Sequence, residues 1–84
     1  MKYKQKPIIV EAVHYKGETV VLTSWIQEAF KNHTMYYDED DLYIETPFGE
    51  RLVNVGDYIV RGVSGGIFPC REDFFEACYE RVEQ

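Results

Sequence analysis

Eighty-four residues make one domain, 1–84, because a chain this short cannot divide its apolar side chains between two cores. A hydrophobic fraction of 45% with 15% aromatics describes a folded protein rather than a disordered one. Fifteen acidic against nine basic residues, a formal charge of −6, argue against a nucleic-acid-binding surface, since neutralising phosphates needs an excess of Lys and Arg.

The first element is a strand over Lys6 to Tyr15. Ile8, Ile9 and Val10 supply β-branched residues, Val13 and Tyr15 continue the run, and Pro7 confines its start to an edge or entry position. The N-terminus starts with Lys2, Lys4 and Lys6, but the apolar run Ile8-Ile9-Val10 stops at Glu11, too short for a signal-peptide core. With no apolar run of about 18 residues anywhere, no membrane contact is expected, and the location is expected to be cytosolic. After a turn at Gly17-Glu18 the period changes: Leu22, Trp25, Ile26, Ala29 and Phe30 share one helical face. Ser24 followed three residues later by Gln27 reads as a capping box, so a helix is predicted over Ser24 to Asn32, ended by Asn32-His33-Thr34.

The rest reads as a meander. Met35 to Tyr37 is a short strand, broken by Asp38-Glu39-Asp40-Asp41. Leu42 to Thr46 follows with Leu42 and Ile44 alternating against Tyr43 and Glu45, then a Pro47-Phe48-Gly49-Glu50 turn and a strand over Arg51 to Val55. Tyr58 to Arg61 is expected to pair with Ile67-Phe68 across a tight Gly65-Gly66 turn. Arg71 to Ala77 makes one or two helical turns, and Cys78 to Val82 a closing strand that would satisfy its backbone beside the first. The fold class is α+β: a small antiparallel β-roll or half-open barrel, with one helix packed on the sheet and a short C-terminal helical turn.

Two stretches carry a family resemblance. One is Met1 to Val13, opening Met1-Lys2-Tyr3-Lys4-Gln5-Lys6-Pro7. The other runs from Gly56-Asp57-Tyr58-Ile59 through Gly62-Val63-Ser64-Gly65 to Pro69-Cys70, then Phe75 and Tyr79-Glu80. Together they cover about half the chain, and in them it resembles a family of small phage and prophage proteins. The chain departs from the family's pattern at Val55, Gly66 and Glu72, where that pattern has Pro, an acidic residue and Pro. The resemblance implies a setting, a phage or prophage accessory protein in a bacterial cell, rather than a mechanism.

Catalytic signatures are absent. There is no Gly-x-Ser-x-Gly elbow, P-loop or His-Glu-x-x-His segment, and Ser64, His14 and His33 have no partner at a diagnostic spacing. No enzymatic activity and no cofactor are expected. Cys70 and Cys78, eight residues apart, match no zinc pattern and read as free thiols filling small apolar gaps, so no metal is expected.

Two surfaces remain. Asp38, Glu39, Asp40 and Asp41, flanked by Tyr36, Tyr37 and Tyr43, form a candidate recognition loop in which carboxylates steer toward a basic partner and tyrosines give contact area. Asp57, Arg61 and Arg71 form the alternative: two guanidiniums near one end of the last hairpin, suited to a phosphorylated or nucleotide ligand. The expected function is stoichiometric, non-enzymatic binding to a bacterial host protein, in host take-over or counter-defence, through the acidic, tyrosine-rich surface. The small-ligand module is the alternative and a structural virion component the third reading. Tyrosines left outside the core also allow a homo-oligomer.

Overall fold

The computed structural model describes residues 1–2, 9–17 and 23–80. Its elements run β1 (Glu11–His14), α1 (Ser24–Lys31), β2 (Met35–Asp38), β3 (Asp41–Thr46), β4 (Gly49–Val53), β5 (Tyr58–Arg61), β6 (Ile67–Cys70) and α2 (Glu72–Cys78). They build two antiparallel three-stranded sheets, ordered β1-β5-β6 and β2-β3-β4, and neither sheet closes on itself. The protein is therefore α+β. Among the described residues no helix is long and apolar enough to cross a membrane.

α1 forms where the 3.6-residue stripe predicts. Trp25, Ile26 and Ala29 are buried, Phe30 packs at the margin of the core, and the helix lies beside β2. Leu22, the first residue of the predicted stripe, lies outside the described residues. The cap sits one residue earlier than expected: the Thr23 hydroxyl accepts from the Ile26 amide at 3.4 Å, so Thr23 is the N-cap and Ser24 already helical. His33, at φ +65, then turns the chain into β2.

In the meander β2-β3-β4 alternation is clearest in β3. Met35, Leu42 and Ile44 are wholly buried and Val53 nearly so, while the intervening residues face outward. Glu39-Asp40 is a two-residue turn that leaves Asp38 opposite Asp41, with Glu39 at φ +57. Pro47-Phe48 is a second two-residue turn, which starts β4 at Gly49 rather than at Arg51.

In the other sheet β5 is central, with Ile59 and Val60 both fully buried. The β5–β6 connection differs from the expected Gly65-Gly66 turn. Gly62 N–H donates to Gly66 O at 2.8 Å, Gly65 N–H donates to Gly62 O at 2.9 Å, and Gly65 sits at φ +90. These contacts define a three-residue loop, Val63-Ser64-Gly65, in which Gly65 supplies the left-handed residue after a type I turn. The predicted closing strand is also corrected. Cys78 ends α2, Tyr79 and Glu80 form no strand, and β1 takes β5 as its neighbour. The acidic first turn of α2, Glu72-Asp73, suits a helix N-terminus and lets the helix run to Cys78. Residues 81–82 of that predicted strand, and 6–8 of the first, lie outside the described residues.

The core gathers Val13, Tyr15, Trp25, Ile26, Ala29, Met35, Leu42, Ile44, Val53 and Ile59 between the two sheets and α1. β6 packs against β3 and β4, which brings the sheets together. Trp25, 9% exposed, is the largest side chain in it. Trp25→Ala should cost about 3–5 kcal/mol, a large part of a small domain's stability. Urea unfolding measures it, and a loss below about 1 kcal/mol would contradict this packing.

Candidate functional site

The outer face of β2-β3-β4 follows from register. Tyr36 pairs with Tyr43 and Tyr43 with Leu52, so these three form one row across the sheet. Asp38 opposite Asp41 makes the row on one side, and Glu45 opposite Glu50 the row on the other. All seven share one face, because side chains two residues apart in a strand point the same way. Tyr36 and Tyr43 stack with ring centroids 5.8 Å apart. The Tyr36 hydroxyl donates to Glu50 Oε2. That bond, with partial desolvation and the nearby Glu50, Glu45 and Asp38 charges, pushes the Tyr36 phenol up to about 12. Desolvation and the surrounding Asp41, Asp38, Glu50 and Glu39 charges raise Tyr43 in the same direction.

Both flanking rows are like-charge cross-strand pairs, an arrangement that destabilises a sheet. Among the described residues the ion pairs are Glu11 with Arg61 and Asp73 with Arg71, and Glu72 meets the His14 ring, so no cation answers Asp38, Asp41, Glu45 or Glu50. The structure thus holds a dense anionic patch around two stacked phenols, with their apolar rings available for contact.

Of the residues singled out in the sequence, Tyr36, Asp38, Asp41 and Tyr43 come together here. Glu39 and Asp40 form the exposed tip. Tyr37 does not belong: alternation turns it to the opposite face, where its ring stacks on Phe30 at 5.8 Å and its phenol is raised by burial and then by Tyr15. Glu45, Glu50 and Leu52 complete the face. Alternation from Tyr43 signals Glu45, but Glu50 and Leu52 need the two-residue Pro47-Phe48 turn to set their register.

The alternative residues separate. Arg61 pairs with Ile67 at the loop end of the β5–β6 ladder, whereas Arg71 follows Cys70 at the Tyr58 end, about four residues or ~13 Å along the strand. They do not share one end of the hairpin. Arg61 meets Glu11 at 3.5 Å and Arg71 meets Asp73 at 3.7 Å. Asp57 is 9% exposed and holds the Asn54–Asp57 turn: its Oδ2 accepts from Asn54 N–H at 2.9 Å, and its own N–H donates to Asn54 O. Gly56, at φ +98, takes the third position of that turn, which a side chain would strain.

Tyr58 belongs to a ladder of stacked rings, His14–Tyr58–Phe75–Tyr79, with centroids 4.3, 4.1 and 4.7 Å apart. His14 Nε2 lies 2.9 Å from Gly56 O and 2.8 Å from Glu72 Oε2. Both neighbours are acceptors, so Nε2 carries a proton. The ladder fastens α2, which buries no residue of its own, to the sheet. The residues most prominent in the family resemblance, Gly56, Asp57 and Tyr58, therefore each have a structural task.

Cys70 and Cys78 are free thiols. Cys70 is half-buried, and burial, ahead of the neighbouring Cys78, Asp57 and Asp73, raises its thiol. Cys78 is exposed at the end of α2 and fills no apolar gap, contrary to the sequence expectation. Among the described residues no group of three or more His, Cys, Asp or Glu side chains is placed to hold a metal ion. No family model matches this chain, and no curated protein or solved structure matches it either.

The Tyr36–Glu50 bond makes an alkaline prediction. A raised pKa means that the folded chain holds this proton more tightly than the unfolded chain. The contact therefore contributes fully below the ordinary tyrosine value of 10.0 and is lost as pH rises through about 12. Ultraviolet difference titration should show one tyrosine ionising last, near about 12. Glu50→Ala should bring it down toward the ordinary range, and an unchanged curve would remove Glu50 as the cause.

Proposed function

We propose that this protein is a non-enzymatic, stoichiometric binding protein that docks a basic surface of a partner protein through the outer face of β2-β3-β4. The observation that carries this reading is the pair of like-charge rows, Asp38–Asp41 and Glu45–Glu50, flanking the stacked Tyr36–Tyr43 pair, with no cation answering them among the described residues. No cation among the described residues offsets the repulsion of these pairs, and a cationic partner supplies that relief on binding. Stacked tyrosines add rigid, amphipathic contact area at small entropic cost, the usual make-up of an interface anchor. The resemblance to phage and prophage proteins supports a bacterial host protein, in the host cytosol, as the partner. In this reading the two open sheets are the halves of a half-open roll whose outer wall is the binding face.

Capture from bacterial lysate on the immobilised chain, at low and at high salt, tests the proposal. The partner should be retained at low salt and released as screening shortens the range of the charges. Asp38→Asn, Asp41→Asn, Glu45→Gln and Glu50→Gln together should keep the fold, leave it equally or slightly more stable, and lose the partner. Tyr36→Ala should speed dissociation at every salt concentration, while Tyr37→Ala, on the opposite face, should change stability and leave binding alone. Retention of the partner by the neutralised variant would overturn the proposal.

A further inference from the structure

A groove of about 530 Å³ lies between the edge strands β4 and β6, with the Pro47-Phe48 turn in its wall. That volume is in the range of ligand and peptide-anchor sites. Phe48 is 88% exposed, Leu52 42% and Phe68 39%, and all three line this one concavity together with Ile67. Single exposed apolar side chains are ordinary, but several large ones converging in a groove mark a contact site.

Its charges are the reverse of the rest of the molecule. In a chain of net charge −6 the groove is flanked by the guanidiniums of Arg51 and Arg71. Arg51 has no ion-pair partner among the described residues. Arg71 meets Asp73 at 3.7 Å with both side chains largely exposed, an arrangement worth little. The acidic residue in the lining, Asp57, is 9% exposed, and its Oδ2 is engaged by the Asn54 amide. Alternation along β4 turns Arg51 away from the outer face that holds Glu50 and Leu52, and Leu52 meets the groove along the open edge of the strand, so the edge of β4 separates an anionic surface from a cationic one.

We propose that this groove is a second docking surface, which receives an acidic segment of a partner protein: a large apolar side chain lies among Phe48, Leu52 and Phe68, and its flanking carboxylates meet Arg51 and Arg71. Charge complementarity selects the occupant, since guanidiniums pair with carboxylates in directed, bidentate contacts and repel a basic segment.

The probe is a short fluorescein-labelled peptide of glutamates around a central Phe-Leu pair, with one control carrying lysine for glutamate and another carrying alanine for the apolar pair. Fluorescence anisotropy should show saturable binding of the glutamate peptide alone. The variant Arg51→Glu/Arg71→Glu, its fold checked by circular dichroism, should bind at least about tenfold more weakly. Amide shift changes in the unmodified chain, which need no variant, should cluster at 46–54 and 66–71. The proposal is overturned by equal binding of the lysine peptide, by no saturable binding of the glutamate peptide, or by shift changes elsewhere. It is equally overturned if sedimentation shows a second copy covering the groove in the unmodified chain and the double variant releasing it.

Discussion

β3 sets the terms for the rest of the molecule. It is the central strand of its sheet, and Leu42 and Ile44 are both fully removed from water. Burial of each contributes about 1.5–3 kcal/mol. A slip of one residue would exchange them for Asp41, Tyr43 and Glu45 and drive two carboxylates into the core. The register is therefore locked, and with it the outward direction of every other residue in β3. The two-residue turns Glu39-Asp40 and Pro47-Phe48 transmit the lock to β2 and β4. The opposed aspartates and opposed glutamates follow from core packing together with the identities of the residues in between. They are a cost the fold carries on one face, and that face is the one with the chemistry to bind something cationic.

The other sheet is held in a different way. Ile59 and Val60 bury both sides of β5, and the Asn54–Asp57 turn ties its entry to Tyr15 through two backbone hydrogen bonds of 2.8 Å. Beyond this, α2 is attached by rings rather than by a buried stripe: Phe75 stacks between Tyr58 and Tyr79. Stacked aromatic pairs contribute about 0.5–1.5 kcal/mol each beyond their buried area. The helix is thus a light attachment on a rigid sheet, whereas the proposed binding face stands on strands that cannot shift without exposing the core.

Much of this is legible in local sequence pattern. The α1 stripe and the alternation through Leu42 and Ile44 are both strong periodic signals, and both elements stand where those signals place them. The period of two, applied strictly, also separates Tyr36 from Tyr37, although the tyrosines next to an acidic run invite grouping. Non-local features were harder. Glu50 joins Tyr36 only through the register of a neighbouring strand, and the distance between Arg61 and Arg71 depends on how β5 and β6 align. The pairing of β1 with β5 depends on where the chain returns, which no local propensity encodes. The cap and the glycine turn differ from expectation by one or two residues at element boundaries, where Thr23 competes with Ser24 for the cap and Gly66 pairs with Gly62 instead of joining the turn.

The central claim is that the outer face carries repulsion that no cation among the described residues answers, and a double-mutant cycle between Asp38 and Asp41 tests it most directly. Asp38→Asn, Asp41→Asn and the pair are unfolded by urea at low ionic strength. The account predicts that either single change stabilises the chain by a few tenths of a kcal/mol and that the second adds almost nothing, because the repulsion is already gone. High salt should shrink the effect. Additive effects, or a loss of stability on removing either carboxylate, would contradict it.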